Sequence, residues 1–242
     1  MSTLTQEEFD RLQVLKCGIS YNRYGAYCVP LSSRHRPAAA MVMSGDVYEP
    51  RTIEFMRSNC KDGDIIHAGT YFGDFLPALA EACPGRIWAF EPNLENYRCA
   101  QITVLLNGIV NVDLRRSGLG SRRESLHLLT EDLGGLPRGG SSMFVGSDTS
   151  VQGRVELAPV VTIDESVPGD RNIAIIQLDV EGYEQPALAG ALKTINRCRP
   201  VIIIEVLPES TLLSNEWFAK NIIGQGYHMT GTIHGNAILH PR

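Results

Sequence analysis

Apolar residues along the chain follow two alternating periods from residue 50 onward. Runs of consecutive apolar residues predict buried strands, and the segments between them carry apolar residues at helical spacing. Strand and helix alternate through DIIHAG (64–69), FLPALAEAC (75–83), RIWAFEP (86–92), NLENYRCAQITVLLNG (93–108) and NVDLRRSG (111–118). This order is typical of right-handed βαβ units, so we predict an α/β fold with a largely parallel sheet and helices on both faces.

The second half of the chain continues the alternation and then changes it. NIAIIQLDVEG (172–182) and VIIIEV (201–206) read as strands, each followed by a helical segment. The last two runs, YHMTGTI (227–233) and NAILHP (236–241), are separated by a short turn. They predict an antiparallel hairpin that closes one edge of the sheet.

Two regions depart from the alternation. Residues 1–50 hold a short helix and a tyrosine cluster, and we interpret them as a cap on a domain that covers residues 51–242. A stretch at about 131–154 is rich in Gly, Ser and Asp and longer than an ordinary connection. Long polar loops inside a compact domain are either functional or disordered, and we expect this one to be a lid over a substrate.

Bulk composition restricts the class of protein. The 242 residues are 43% hydrophobic and 20% charged, which is typical of a soluble globular chain, and the formal net charge of -5 argues weakly against nucleic acid as the main partner. No apolar run is long enough to span a bilayer, so we expect a cytoplasmic protein without membrane contact. The six cysteines show no paired spacing, which predicts reduced thiols and neither a zinc site nor a disulfide framework.

Candidate chemistry lies where the predicted strands end, because open parallel sheets bind ligands beyond the carboxyl ends of their strands. Those ends are the turn Gly69–Asp74, then Glu91, then Ser117 and Gly118, and finally Asp179–Glu184. We expect these residues to surround one crevice.

The turn and Glu91 point to a ligand with a free ribose diol. Glu91 follows Gly69 at about the spacing at which an acidic side chain meets ribose hydroxyls. NAD and S-adenosylmethionine both carry such a diol. The pattern here is G-x-x-x-G (Gly69, Gly73) and not the G-x-G-x-x-G that approaches a pyrophosphate, so it favours the sulfonium cofactor over NAD. A tight turn without any ligand is the alternative explanation of the glycines.

LDVEGYE (178–184) brings three carboxylates to the end of a very apolar strand. Uncompensated charge is costly there, so these side chains predict a function: they can hold an ammonium group, orient a hydroxyl, act as a base or take a metal. The alternative for Glu181 and Glu184 is that they cap the next helix.

Five segments together resemble the FkbM family of S-adenosylmethionine-dependent methyltransferases. They are DIIHAGTYFGDFLPAL, IWAFEPNLENYRCAQITVLLNGIVNV, TIDES, IQLDVEGYEQPALAGA and PVIIIEV, in the same order over roughly residues 45–210. The resemblance implies a class I methyltransferase fold, with a seven-stranded Rossmann-like sheet and a final antiparallel strand. It also implies O-methylation of a sugar, a polyketide or another small secondary metabolite.

The resemblance further implies a cofactor site. Gly69 and Gly73 would line the methionine part, Glu91 the ribose, Asn93 and Ser117 the surroundings of the adenine, and Asp179 the approach to the sulfonium. Family members usually carry an acid where this chain has His67, so the ammonium would rely on Asp179, Glu49 or backbone carbonyls. The predicted cofactor-binding set is Glu49, His67, Gly69, Thr70, Tyr71, Phe72, Gly73, Asp74, Glu91, Pro92, Asn93, Ser117 and Asp179.

Methyl transfer to a hydroxyl needs an aligned acceptor and a group that takes its proton. Asp179 and Glu181 at the strand end and His234 in the last hairpin turn are the candidates, although His234 also reads as a surface turn residue. We predict no metal site from spacing, and Mg²⁺ on the DVEGYE carboxylates stays an alternative.

The alternative functions are an NAD-dependent oxidoreductase and an interaction module that binds the cofactor weakly. A homo-oligomer is left open.

Overall fold

The computed structural model describes residues 14–61, 63–146 and 152–242. In chain order its strands and helices are β1 (Cys17–Asn22), β2 (Gly25–Pro30), α1 (Pro37–Met43), α2 (Pro50–Asn59), β3 (Asp64–Ala68), α3 (Leu76–Ala82), β4 (Ile87–Phe90), α4 (Leu94–Leu106), β5 (Val112–Arg115), β6 (Gly118–Leu119), β7 (Glu124–Leu129), β8 (Met143–Val145), β9 (Val155–Val161), α5 (Ile163–Ser166), β10 (Ile173–Leu178), α6 (Glu184–Ala189), α7 (Leu192–Cys198), β11 (Val201–Glu205), α8 (Glu216–Asn221), β12 (Tyr227–Ile233) and β13 (Asn236–Pro241).

The central layer is a mixed seven-stranded sheet in the order β12-β13-β11-β10-β3-β4-β5. β11, β10, β3, β4 and β5 pair in parallel, whereas β13 is antiparallel to both β11 and β12. The predicted α/β fold and the predicted terminal hairpin are therefore confirmed. Within this hairpin β13 is the inner strand and β12 forms the edge.

Strand alternation divides the core between the two faces of the sheet. Ile66, Ile176 and Ile202 face one side and pack against α5, α6, α7 and α8. Their neighbours Ile65 and Ile175 face the other side and pack against α2 and α3. Both faces are covered, which explains why the parallel strands read as continuous apolar runs in the sequence.

Strand order reverses beside β3. The chain leaves β3 for β4 on one side, and later returns to pair β10 on the other. Loops that diverge in this way leave a crevice beyond the carboxyl ends of the strands. The crevice lies between the turn after β3 and the loop after β10.

The described part of the N-terminal segment packs against α4 and the turn after β3. Tyr27 is fully buried on β2 and meets the ring of Phe72 edge-on, with centroids 6.5 Å apart. The N–H of Cys28 donates to Thr103 Oγ1 on α4 at 3.0 Å. Residues 1–13 of the predicted cap lie outside the described residues.

The polar stretch at about 131–154 contains regular structure that its composition did not predict. β8 pairs antiparallel with β7 in a second sheet of order β6-β9-β7-β8, and a 3₁₀ turn spans Gly139–Ser141. Residues 147–151 of the stretch are outside the described part of the chain. None of the helices described is long and apolar enough to cross a membrane.

An ionic network closes the amino end of β3. Asp64 is 2% exposed, and its carboxylate accepts from Arg171 Nη2 at 2.6 Å, Trp88 Nε1 at 2.8 Å and the Arg86 N–H at 2.8 Å. Burial alone would raise the pKa of Asp64, but the Arg171 guanidinium and the N–H donors outweigh it and hold the pKa below its ordinary value. Asp64 therefore anchors the loop before β10 to the central strand.

We expect Asp64→Ala to lower the free energy of unfolding by about 3 kcal/mol, because it leaves three donors without their acceptor. Urea unfolding at pH 7 measures this loss. The control is Asp113→Ala, which removes a half-exposed ion pair with Arg115 and should cost less than about 1 kcal/mol. Equal losses for the two variants would contradict the anchoring role.

Candidate functional site

Two adjoining cavities fill the crevice beyond the carboxyl ends of β3 and β10. The larger encloses about 800 Å³ and the smaller about 400 Å³, including their open mouths. Gly69, Gly140 and Asp179 line both of them. The two cavities therefore meet at Gly69, Gly140 and Asp179.

The turn after β3 approaches the loop after β10 so closely that residue 69 must be glycine. A Cβ on Gly69 would lie 1.8 Å from the carbonyl oxygen of Asp179, and the backbone there has a φ of +82°. Tyr71 and Gly73 also have positive φ, at 52° and 82°. The sequence G-x-x-x-G thus encodes a compact backbone path into α3.

Glu91 fastens this turn to the end of β4. Its Oε2 accepts from the Tyr71 N–H at 2.8 Å, and its Oε1 accepts from the Asn93 N–H at 2.9 Å. Glu91 is 4% exposed, and burial raises the pKa of its carboxyl to about 7. The carboxylate lines the smaller cavity and keeps lone pairs for further donors.

The smaller cavity has a mostly apolar wall. Besides Gly69, Glu91, Gly140, Ser142 and Asp179, it is lined by Ala68, Phe90, Pro92, Gly118, Leu119, Leu128, Phe144 and Val180. Several of these residues belong to the second sheet and the polar stretch. This wall suits a flat, weakly polar group beside a carboxylate.

His67 and Gln177 lie side by side on β3 and β10 in the wall of the larger cavity. Gln177 Oε1 is an acceptor, so His67 Nδ1 is the donor of their hydrogen bond, and Nε2 has no partner among the described residues. The imidazole is 2% exposed and stacks on Phe75 at 5.4 Å, and burial lowers its pKa to about 4. His67 is therefore neutral and presents a lone pair.

Carboxylates dominate the rest of the larger cavity. Asp179, Glu181 and Glu205 each bring an oxygen within 4.8 Å of the other two. Burial, and then the charge of Glu205, raises the pKa of Asp179 well above its ordinary value. Glu49 and Asp74 line the same cavity, and the one guanidinium in the described lining is that of Arg36. The cavity has an excess of acceptors and negative charge.

Glu205 was missed by the sequence interpretation. It is the last residue of β11, next to β10 in the sheet, and it lies at a strand carboxyl end like the predicted residues. The rule that directed attention to Asp179 applies equally to VIIIE, so this signal was present in the sequence.

The structure brings most of the predicted site residues together, and it places others elsewhere. The larger cavity is lined by the predicted residues Glu49, His67, Gly69, Tyr71, Asp74, Asp179 and Glu181, and the smaller by Gly69, Glu91, Pro92 and Asp179.

Five predicted cofactor residues lie outside the lining of both cavities. Phe72 is fully buried against Tyr27, Gly73 is in the turn, and Thr70 donates to the His67 carbonyl. Asn93 caps α4 and donates to Ser142 Oγ at 3.1 Å, so it contacts a residue of the smaller cavity's wall without lining that cavity itself. Ser117 is 5% exposed, and the structure describes no partner for its hydroxyl.

The third predicted catalytic residue lies at the rim. His234 is exposed in the turn between β12 and β13 and is absent from the lining of the two cavities described here. It is close enough to Glu49 to draw that carboxyl's pKa down against the upward effect of burial. Asn236, two residues after His234, donates to Glu49 Oε2 at 3.1 Å.

Comparison with solved structures shows a shared fold. Methyltransferase FkbM from Methylobacillus flagellatus KT is similar over 74% of this chain and 43% of its own, with 19% identity and a TM-score of 0.53. The chain thus spans less than half the length of that relative. TYW2 from M. jannaschii in complex with AdoMet is similar over 95% of this chain and 88% of its own, with 10% identity and a TM-score of 0.48. A methyltransferase from Geobacter sulfurreducens is similar over 82% of this chain and 83% of its own, with 15% identity and a TM-score of 0.45.

No curated protein sequence matches the chain significantly. The family model described as Methyltransferase FkbM domain matches residues 67–217, which is more than half of the chain and includes both cavity-lining strand ends. The chain therefore belongs to the FkbM methyltransferase family, and S-adenosylmethionine is its cofactor.

Proposed function

We propose that this protein transfers a methyl group to a hydroxyl oxygen of a small molecule such as a sugar or a polyketide. The observation that carries the proposal is the pair of adjoining cavities, one apolar with Glu91 at its wall and the other lined by carboxylates. The first suits the nucleoside of the donor, and the second suits the acceptor.

The residues present fit S-adenosylmethionine. Glu91 would accept from the ribose hydroxyls, and the apolar wall of the smaller cavity would take the adenine beside the buried, unpartnered hydroxyl of Ser117. The glycine at 69 leaves room for the methionine part where a Cβ would collide. Glu49 would supply the negative charge for the ammonium group, and the neutral His67 lies in the same cavity wall with its Nε2 unpaired.

The cofactor supplies an electrophilic methyl group, and the chain's own residues position the acceptor. Asp179 and Glu181 can accept hydrogen bonds from an acceptor hydroxyl, and either carboxylate can take its proton as the oxygen–carbon bond forms and the carbon–sulfur bond breaks. His234 at the rim is proposed as a further base. The carboxylate-rich wall disfavours a nucleic acid, whose phosphates it would repel.

We propose that the stretch at about 131–154 is the lid of this site and that residues 1–50 form the cap. Gly140 and Ser141 line the larger cavity, and Gly140 and Ser142 line the smaller one. The Asn93–Ser142 hydrogen bond holds this segment against the cofactor side. A segment so placed would cover bound ligands and exclude water from the reaction.

Thermal unfolding with candidate ligands tests the cofactor. Ligand at about a hundred times its dissociation constant should add roughly 2.7 kcal/mol to the stability. We expect S-adenosylmethionine and S-adenosylhomocysteine to raise the Tm by several degrees, and NAD to leave it unchanged. Stabilisation by NAD alone would contradict the proposal.

Transfer of a labelled methyl group tests the acceptor class. Sugars and polyketides that carry free hydroxyls should become labelled, and their O-methylated counterparts should not. We expect Glu181→Gln to lower kcat by about 10²-fold or more if the side chain takes the proton. The exposed Glu81→Gln is the control, because Glu81 pairs with Arg57 away from both cavities. Labelling of amines but not hydroxyls would overturn the O-methylation part of the proposal.

The neutral state of His67 predicts a pH dependence of stability. The pKa of His67 is about 4 in the folded protein and about 6.5 when unfolded, so the unfolded state binds the proton first as the pH falls. Stability should fall by roughly 3 kcal/mol between pH 6.5 and pH 4 on account of this group.

The variant His67→Gln should remove this part of the slope in urea unfolding measured from pH 4 to pH 7. His127→Gln, at an exposed position of β7, is the matched control and should keep the wild-type slope. An unchanged slope in His67→Gln would show that the imidazole titrates normally in the folded protein.

A further inference from the structure

Three carboxylates converge in the larger cavity from two adjacent strand ends. Asp179 and Glu181 follow β10, and Glu205 ends β11. One oxygen of each lies within 4.8 Å of the other two. Like charges at this spacing repel strongly away from bulk water. Arg36 and Arg138 offset part of the charge on Glu181, but Asp179 and Glu205 need a compensating positive charge if both are to stay ionised.

Two acceptor atoms in the same cavity wall have no hydrogen-bond donor, which also indicates a ligand that is positively charged or donates hydrogen bonds. Glu205 Oε2 is shielded from solvent and has no hydrogen-bond partner in the described part of the chain. His67 is 2% exposed, lines the cavity and leaves Nε2 unpaired, because its Nδ1–H is taken by Gln177. Strand alternation puts His67, Gln177 and Asp179 on one face of the sheet. Buried acceptors without donors are rare, and here they surround one space.

Glu49, by contrast, is already engaged. Its Oε2 accepts from Thr52 Oγ1 at 2.8 Å and from Asn236 Nδ2 at 3.1 Å. It stands outside the group of three converging oxygens. A carboxylate with two donors keeps further lone pairs, so Glu49 can still accept from the ammonium of the methyl donor, while Asp179, Glu181 and Glu205 face a separate ligand.

The spacing and chemistry of these oxygens select the kind of ligand. Opposite oxygens around Mg²⁺ are about 4.2 Å apart and those around Ca²⁺ about 4.8 Å, so three oxygens within 4.8 Å can share one ion. Carboxylates favour Mg²⁺, Mn²⁺ and Ca²⁺, and no thiol belongs to the cluster, which disfavours zinc.

We propose that Asp179, Glu181 and Glu205 bind one divalent cation, Mg²⁺ or Mn²⁺, and that this ion receives two adjacent oxygens of the acceptor. The inference rests on the proposed function and specifies its substrate class as a vicinal diol. Three carboxylates leave coordination positions open for two hydroxyls. The ion would lower the pKa of a bound hydroxyl, whose proton would pass to an oxygen of Asp179 or Glu181 that does not bind the ion, while the other hydroxyl would fix the orientation. The ion is not consumed.

Titration of the 242-residue chain with Mn²⁺, followed by electron paramagnetic resonance, tests the site without any turnover. We expect one bound ion per chain, displaced by Mg²⁺. Glu205→Gln should weaken Mn²⁺ binding at least tenfold, and Asp179→Asn should do the same. The control is Glu209→Gln, an exposed carboxylate four residues beyond Glu205, which should bind Mn²⁺ like the wild type.

Circular dichroism shows whether each variant is folded, and S-adenosylhomocysteine binding by calorimetry separates the two proposals. We expect Glu205→Gln to keep cofactor affinity within about threefold while it loses Mn²⁺. A protein that binds S-adenosylhomocysteine but no Mn²⁺, or whose Mn²⁺ affinity is the same in Glu205→Gln, would overturn the cation site and leave the methyltransferase proposal intact. Mn²⁺ binding without cofactor binding would overturn the proposed function instead.

Discussion

The site depends on the close approach of two backbones at the point where strand order reverses. Gly69 lies so near the carbonyl of Asp179 that any side chain would collide with it, and the Asp179 N–H donates to the Ala68 carbonyl at 3.1 Å. On the other side, the N–H groups of Gly69 and Thr70 both donate to the Phe90 carbonyl at 3.2 Å. The turn is thereby tied to both neighbouring strands. This contact fixes where the two cavities meet.

Charge in the crevice follows from the same geometry. Parallel strands end at one edge, so acidic residues at the ends of β10 and β11 meet, although Asp179 and Glu205 lie 26 positions apart in the chain. Burial makes each charge more costly, and the pKa values of Asp179, Glu181 and Glu205 are all raised by desolvation. Such a wall stays in its charged form only when a cation or a set of donors enters it. The wall therefore favours a ligand that brings positive charge or hydrogen-bond donors.

Glu91 combines a structural role with a position in the wall of the smaller cavity. Its two oxygens accept backbone N–H groups that hold the turn after β3 and the start of α4. The same carboxylate faces the smaller cavity. A ligand that binds there meets an acceptor already fixed by its neighbours, so little conformational entropy is lost on binding.

The sequence by itself determined the order of strands and helices, the terminal hairpin and the residues at the strand ends, because these depend on local periodicity and on the rule that parallel strands end at one edge. Tertiary structure decided which of those residues reach the cavities. Phe72 and Thr70 turned inward because the turn after β3 has alternating backbone conformations that no periodicity predicts. β8 formed in a polar stretch because β7 was there to pair with it. The convergence of Glu205 with Asp179 and the unpaired nitrogen of His67 depend on contacts between residues far apart in the chain, and only the folded protein defines them.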